Sequence, residues 1–325
     1  MIESGLYYPN GEFRSREDIM KQITPPEIGV TRPVIEDPLS FEEHLTRVEQ
    51  LQEIKKETGL WKEDMTVEVQ TNGFPFFVMR PLSDMHMGAI GTDMEAIRSH
   101  LGDIKKYPIY APLVGDIGDF FGPFKHQSGM LGDVIDPDDQ LTMLRRFYEE
   151  YKEKILCTVQ DPSHTDWIRQ ATGIEPQRIL VEKLGITALV SGGLMNLKVD
   201  QQTYKILFFH AIGKYSSSLN LTNAGKRMLD MADDVDLVLS GHTHIGAMEK
   251  LVKRMKKATI VQMGTFKTKD DFGRRLGLKP NPQVFFPTIF FDGRKHNIEM
   301  IEDRESAVGW MDAYYQLEEI NKNRE

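Results

Sequence analysis

Five short segments rich in histidine and aspartate limit the folds open to this chain of 325 residues, because each ends an apolar run. In chain order they are residues 84–86 (Asp-Met-His), 115–119 (Gly-Asp-Ile-Gly-Asp), 163–164 (Ser-His), 210 (His) and 241–244 (Gly-His-Thr-His). Imidazole and carboxylate ligands suit Mn, Fe, Zn or Ni better than Ca. Two such ions about 3.5–4 Å apart can activate water and stabilise a phosphorus centre. The pattern therefore predicts a two-metal hydrolytic site.

The composition excludes several classes of protein. With 40% hydrophobic residues, the chain can bury one large core and carry an appendage. Its single cysteine, Cys157, provides no disulfide framework and favours a reducing compartment. The N-terminus lacks the features of a secretory signal, and no apolar run approaches the roughly 18 residues that a membrane span needs. We therefore expect a soluble, cytoplasmic protein with no membrane partner.

The charge is unevenly distributed along the chain. The net charge is −9, yet residues 250–279 contain ten lysines and arginines against two aspartates. Two interpretations are open for this basic segment: an ordinary solvated surface, or a rim that receives DNA or RNA beside the metal site. Phe266 and Phe272 lie in the same segment, either stacking on bases or packing inward.

Apolar runs alternate with helical patterns from residue 76 onward, and the closing part of the chain is richer in strands. This order predicts an α/β fold, a two-sheet β-sandwich flanked by helices. We expect an N-terminal appendage over residues 1–75, a main domain over 76–300 and a C-terminal helical tail over 301–325.

One amphipathic helix is predicted within the appendage, over residues 41–58. Ser40 and Glu43 have the spacing of a capping box at its start. The apolar residues that recur at helical spacing are Phe41, Leu45, Val48, Leu51 and Ile54. This face either packs on the chain's own main domain or forms the contact of a homodimer.

Taken together, the five segments resemble the motifs of the calcineurin-like metallophosphoesterase superfamily. The family pattern is D-x-H, G-D-x-x-D, G-N-H-D/E, H and G-H-x-H, each at the C-terminal end of a strand. The resemblance covers roughly residues 78–292, with the motifs in the family's order. It implies the metallophosphoesterase fold, a four-layer arrangement of two sheets flanked by helices.

The resemblance also implies a role for each motif residue. The ligands that it implies are Asp84, His86 and His244 for the first ion, His210 and His242 for the second, and Asp116 as the bridge. A carboxylate has two oxygens and can span two cations, whereas neutral imidazoles add no negative charge. The cofactors would be two divalent ions, with Mn favoured and Fe, Zn, Ni or Mg as alternatives.

Two further residues receive catalytic roles by the same resemblance. His164 would be the general acid, near enough to the leaving oxygen to donate a proton. Asp119 would orient a metal ligand or His164 itself. The implied reaction is an in-line attack by a metal-bridging hydroxide on phosphorus.

The third motif departs from the family pattern. Where the family has G-N-H, this chain has Pro162-Ser163-His164, so a serine replaces the asparagine that ligates the second ion. Ser163 would then be a weaker ligand, and Asp161 could take its place. Three outcomes are open: a weaker and exchangeable second ion, a full site completed by Asp161, or a site that has lost catalysis.

The function expected from these observations is hydrolysis of a phosphate ester. A phosphodiesterase or nuclease acting on nucleic acid or nucleotides is the first hypothesis. A phosphomonoesterase acting on proteins or small molecules is the second. A non-catalytic module that binds metal or nucleic acid is the third.

Overall fold

The computed structural model describes residues 6–7, 13–14, 40–57, 64–71, 75–120, 132–159, 163–189, 192–211, 220–232, 234–253, 256–269 and 282–322. The chain divides into two compact units, Met1–Ile54 and Lys55–Glu325. Among the helices in the described ranges, none combines the length and apolarity that a bilayer crossing requires.

The first unit contains a short hairpin and the start of a helix. Strands β1 (Leu6–Tyr7) and β2 (Phe13–Arg14) pair antiparallel, and helix α1 is Phe41–Glu57. The capping box is confirmed, because Glu43 N donates to Ser40 Oγ at 3.3 Å and Ser40 N donates to Glu43 Oε2 at 2.7 Å. These bonds satisfy backbone donors that the first helical turn leaves without partners.

Helix α1 presents apolar side chains to solvent. Leu45, Val48 and Leu51 are 41%, 50% and 49% exposed. Whether this face forms a homodimer contact stays a prediction.

The second unit is α/β with two mixed sheets. Its strands are β3 (Asp64–Val69), β4 (Phe76–Met79), β5 (Leu82–Ser83), β6 (Ile109–Val114), β7 (Ile155–Val159), β8 (Ala188–Leu189), β9 (Gly193–Val199), β10 (Gln202–Phe209), β11 (Leu237–Ser240), β12 (Ala247–Lys253), β13 (Lys256–Gln262), β14 (Thr288–Asp292) and β15 (Ile298–Ile301). Its further helices are α2 (Met94–Lys106), α3 (Pro137–Tyr151), α4 (Ser163–Thr172), α5 (Pro176–Lys183), α6 (Asn223–Met231) and α7 (Arg304–Lys322).

The strand order separates the two sheets. Sheet 1 runs β15-β14-β4-β6-β7-β8, with β5 paired to β6, and sheet 2 runs β12-β13-β11-β10-β9-β3. Strands β5, β6 and β7 are mutually parallel in sheet 1, and β10, β11 and β13 are parallel in sheet 2. Parallel neighbours bring their C-terminal ends to one edge of a sheet, where α/β proteins bind ligands.

A single apolar core includes side chains from both sheets, which supports the predicted sandwich. Leu113 and Cys157 of sheet 1 belong to the same buried cluster as Ile206 and Phe208 of sheet 2. Burial raises the pKa of the Cys157 thiol to about 12, so this residue is packing rather than a nucleophile.

Strand β10 shows how the layers are built from alternation. Ile206 and Phe208 face the shared core, whereas Leu207 and Phe209 pack in a second cluster that includes Leu229 of α6. Successive side chains of a strand point to opposite faces, so a strand covered on both faces is apolar throughout. Sheet 2 therefore lies between the core and α6.

Two elements outside the expected main domain pack with its sheets. Strand β3 lies within residues 1–75, yet it pairs in parallel with β9 and forms the edge of sheet 2. Helix α7 lies in the predicted tail, and its Met311 is buried in the shared core while Trp310 packs edge-to-face on Phe290. The domain limits at residues 75 and 300 stay predictions.

Helix α2 carries a histidine that the fold keeps neutral. His100 is 5% exposed, lies edge-to-face against Phe266 and Phe286, and has no hydrogen-bond partner for Nδ1 among the described residues. Burial, followed by the charges of Arg80 and Arg304, lowers the pKa of His100 to about 3. An unfolded chain binds a proton at this residue near pH 6.5, whereas the folded chain does not.

Stability should therefore fall in acid because of His100. The folded pKa lies below the unfolded value, so this contribution is complete above about pH 6.5 and is lost as the pH falls toward 3. We expect wild type to lose on the order of 1 kcal/mol per pH unit more than His100→Leu between pH 6.5 and 5. Urea unfolding at both pH values measures the difference, and parallel losses in the two proteins would contradict the assignment.

Candidate metal centre

The histidine and aspartate segments follow the C-terminal ends of parallel strands. Asp84 follows β5, Asp116 lies two residues after β6, His210 follows β10 and His242 lies two residues after β11. His164 is the second residue of α4, in the segment that leads on from β7. The topology thus gathers residues from distant parts of the sequence at the ends of both sheets.

Four residues of the histidine and aspartate segments have strained backbone conformations. Asp84, His86, His242 and His244 have φ angles of 44°, 45°, 75° and 60°. The left-handed region is unfavourable for residues other than glycine, although Asp and His tolerate it better than most. Such conformations cost on the order of 1–3 kcal/mol each and concentrate at functional sites.

The first cluster consists of Asp84, His86 and His244, whose ligand-type atoms lie within 4.8 Å of one another. His86 Nε2 and His244 Nε2 are 3.0 Å apart. His86 donates from Nδ1 to Asp119 Oδ1 at 2.6 Å, which leaves Nε2, the atom that faces His244, as the ring nitrogen that can bind an ion. Two imidazole nitrogens aimed at each other need a proton or a cation between them, so this cluster fits a metal ion.

The second cluster consists of Asp84, Asp116 and His210, also within 4.8 Å. His210 Nε2 lies 2.9 Å from Asp84 Oδ1, and the His242 ring centre lies 5.0 Å from that of His210. The backbone N–H of His242 donates to Asp84 Oδ2 at 2.8 Å. The structure thus places Asp84 in both clusters and Asp116 beside His210, whereas the sequence assigned the bridging position to Asp116.

Two glycines allow these side chains to approach the backbone. Gly115 has a φ of 109°, and a β-carbon there would lie 2.7 Å from Asp84 Oδ1. A β-carbon on Gly241 would lie 2.7 Å from Asp84 Oδ2. Both glycines are needed because the Asp84 carboxylate fills the space that a larger residue would occupy.

The charges of the buried carboxylates are maintained by the surrounding histidines. Burial raises the pKa of Asp84, but His210, His244 and His86 together hold it well below its usual value. The pKa of Asp116 is also lowered, because the histidines, His164 first, outweigh the effect of burial. The anionic carboxylate is the form that binds a divalent ion.

His164 lies beside both clusters. Its backbone N–H donates to Asp116 Oδ1 at 3.1 Å, and its Nδ1 donates to the backbone carbonyl of Asp119. A carbonyl can only accept, so Nδ1 carries the proton and Nε2 points to Asp116, 3.9 Å from Oδ2. Burial lowers the pKa of His164, opposed by Asp116. The ring is therefore held with one nitrogen directed at the region between the carboxylates.

No family model matches this sequence, and no curated protein matches it either. Among solved structures, one similar chain is described as GAP50, the anchor in the inner membrane complex of Plasmodium. The two are 12% identical, with a TM-score of 0.33, over 70% of this chain and 89% of that chain. A likeness this weak supports no argument about fold or activity.

The residues proposed to complete the second ion's site are not described. Asp161 and the side chain of Ser163 lie outside the part of the chain that the structure describes. Their roles as ligands stay predictions.

Sequence reasoning missed two residues that hold the centre together. Lys267 is 6% exposed and donates from Nζ to both oxygens of Asp119, at 2.9 and 3.1 Å. Gln140 of α3 accepts from the backbone N–H of Asp119 and of Phe120, each at 3.0 Å. Both act across long sequence separations and belong to no motif, so no local signal in the sequence indicates either.

Asp119 also forms a third cluster with His86 and His164. Its carboxylate already accepts from His86 and Lys267, and the positive charge of Lys267 would repel a cation there. The structure therefore fits Asp119 as a residue that orients its neighbours rather than as a metal ligand.

The described lysines of the basic segment lie in two separate regions of the fold. Strand β13 runs parallel to β11, with Gln262 paired to Ser240 at the site end. Lys257 lies five residues back along β13, about 17 Å from that end by the rise of a strand. Lys267 is buried against Asp119, and Lys269 is exposed. The described lysines therefore do not line the site as one continuous rim.

Of the two phenylalanines in the basic segment, the structure describes one. Phe266 is fully buried and stacks on Phe286, with ring centres 4.5 Å apart, so it packs inward as one interpretation predicted. Phe272 lies outside the described residues. Phe266 is therefore part of the core and is not a platform for a base.

Proposed function

We propose that this protein is a metal-dependent phosphoesterase of the calcineurin-like metallophosphoesterase type, and that its substrates are phosphate diesters such as nucleotides or nucleic acid. The observation that carries this proposal is the pair of clusters that share Asp84 at the ends of two sheets, buried except for the partly exposed His244. A buried set of carboxylates and imidazoles with converging donor atoms is costly unless it serves a bound cation.

The residues that would hold the ions follow from the two clusters. Asp84, His86 and His244 would hold the first ion, and Asp116 and His210, with His242 beside them, would hold the second. The proposed ions are two Mn²⁺. When bound, they would supply a water nucleophile at neutral pH and neutralise charge on the phosphate oxygens. Ser163 or Asp161 would complete the second site.

The remaining residues would orient a metal ligand and donate a proton. His164 would give a proton to the departing oxygen from Nε2 of its imidazolium form, because Nδ1 donates to the Asp119 carbonyl and the charge of Asp116 favours a second proton on the ring. Asp119 would hold the His86 ring through Nδ1, which leaves Nε2 for the ion. Each role uses a contact within the chain itself.

The proposal of a diester substrate rests on the basic segment, residues 250–279, which follows the Gly-His-Thr-His segment in sequence. Lys269 is the described basic residue that is exposed on the segment following β13, and it hydrogen-bonds through its backbone to Gly91. A nucleic-acid substrate would meet this side of the centre. A cytoplasmic setting is part of the proposal, supported by the single buried cysteine.

Hydrolysis assays on metal-stripped protein test the proposal. With Mn²⁺ added, wild type should hydrolyse bis-p-nitrophenyl phosphate faster than p-nitrophenyl phosphate, and Asp116→Asn should hydrolyse neither. Faster turnover of the monoester would make the protein a phosphomonoesterase. A folded protein that binds Mn²⁺ without turning over either ester would instead be a non-catalytic binding module.

A further inference from the structure

Lys267 forms a buried ion pair beneath the metal centre. Its Nζ lies 2.9 Å from Asp119 Oδ1 and 3.1 Å from Oδ2, and Asp119 itself is fully buried. Donors to both oxygens define the plane of the carboxylate as well as its charge. Buried lysines are rare unless they are paired, so this contact has a specific role to explain.

The backbone around Lys267 is held in place by the same elements that carry the ligands. The Thr265 hydroxyl donates to the Asp84 carbonyl at 2.7 Å and accepts from Lys267 N at 2.9 Å. Phe266 N donates to the same Asp84 carbonyl at 3.1 Å. The backbone of Lys267 forms an isolated antiparallel β-bridge with that of Thr92. The lysine is thus fixed relative to the first ligand segment rather than carried on a free loop.

A line of contacts connects Lys267 to the first cluster. Lys267 fixes Asp119, Asp119 accepts from His86 Nδ1 at 2.6 Å, and His86 Nε2 faces His244. If the lysine were absent, the carboxylate would be free to rotate about its last bond and would have one donor fewer. The orientation of the His86 ring would then be less well defined, and a ligand held loosely binds its ion less tightly.

We propose that Lys267 is a positioning residue, which acts through Asp119 to hold His86 in the orientation that binds a divalent cation. This inference rests on the proposed function only in requiring that the centre binds such a cation. It adds a residue from outside the five histidine and aspartate segments to the machinery of the site.

The first test is Mn²⁺ affinity, measured by calorimetry on the full-length, metal-stripped protein. Lys267→Met should weaken Mn²⁺ binding by about tenfold, the range found when a residue that orients a metal ligand is removed. Lys257→Met is the control, because this exposed lysine of the same basic segment lies about 17 Å from the site end of β13. It should leave the affinity within about twofold of wild type, inside the scatter expected of a surface change. Equal affinities in Lys267→Met and wild type would overturn the proposal.

A double-mutant cycle separates positioning from general destabilisation. If Lys267 acts through Asp119, then Lys267→Met should have almost no further effect on Mn²⁺ affinity in an Asp119→Asn background. The same tenfold loss in both backgrounds would refute a role through Asp119. If the single Lys267 variant does not fold, a loss of Mn²⁺ affinity in the double variant relative to Asp119→Asn would still overturn the proposal.

The same titrations distinguish this inference from the proposed function. Wild type that binds no divalent ion would overturn both. Wild type that binds Mn²⁺, with a Lys267→Met variant that binds it equally well, would overturn the role of Lys267 and leave the metal centre intact.

Discussion

Asp84→Asn should abolish tight Mn²⁺ binding and lower kcat/KM on bis-p-nitrophenyl phosphate by at least about a thousandfold, the equivalent of several kcal/mol of lost charge stabilisation. Asp84 is the one residue shared by both clusters, and its two oxygens are the acceptors for His210 Nε2 and the His242 backbone. Asparagine keeps the shape and tolerates the left-handed backbone, so the loss would come from the charge.

The matched control for this experiment is Asp200→Asn. Asp200 also has a left-handed φ, of 49°, but it is exposed and bonds to Thr71 rather than to the centre. Its variant should bind Mn²⁺ and turn over substrate as wild type does. Calorimetry and initial rates measured side by side check both proteins. Retained metal binding in Asp84→Asn would mean that the two clusters are not one metal centre.

His164→Asn should reduce turnover in a manner that depends on the leaving group. A general acid contributes about 100- to 10,000-fold when the departing oxygen is basic, so diphenyl phosphate should show a loss in this range. Nitrophenolate leaves readily without a proton, so the loss on bis-p-nitrophenyl phosphate should be below about tenfold. The amide of asparagine can donate to the Asp119 carbonyl as His164 Nδ1 does, which preserves the local contact.

Metal affinity separates this role from an indirect effect on the centre. His164→Asn should bind Mn²⁺ about as tightly as wild type, because His164 contacts the carboxylates through its backbone and orients its ring beside them. An equal loss on both esters would point to a disturbed centre. No loss on either ester would remove His164 from the mechanism.

Local signals explain which elements could be predicted. The capping box at Ser40 is determined by residues within one helical turn, and the structure contains it. Strands β6, β7 and β11 were found because each is a continuous apolar run that ends at a motif. These features depend on neighbours in sequence, so the sequence alone carries them.

Long-range pairing explains what could not be predicted. Strand β3 has alternating partial exposure and looks like part of an appendage, but its pairing with β9 gives it a place in sheet 2. The contact of Lys267 with Asp119 joins residues 148 apart, and the basic segment is divided because the β12–β13 hairpin turns its end away from the site. Register and side-chain direction across such distances are set by the whole fold, and no local pattern encodes them.

The two hydrogen bonds that the Asp84 carbonyl accepts link formation of the site to folding. Thr265 and Phe266 bond to that carbonyl, and the clusters beside it need Asp116 from sheet 1 and His210 from sheet 2. The binding geometry therefore exists only when both sheets have docked and the segment after β13 has returned to β5. A cation that recognises this geometry acts as a ligand of the native state alone, adding about 2.7 kcal/mol of stability at a concentration a hundredfold above its Kd. Metal supply would thus raise the equilibrium stability of the folded protein as well as provide its chemistry.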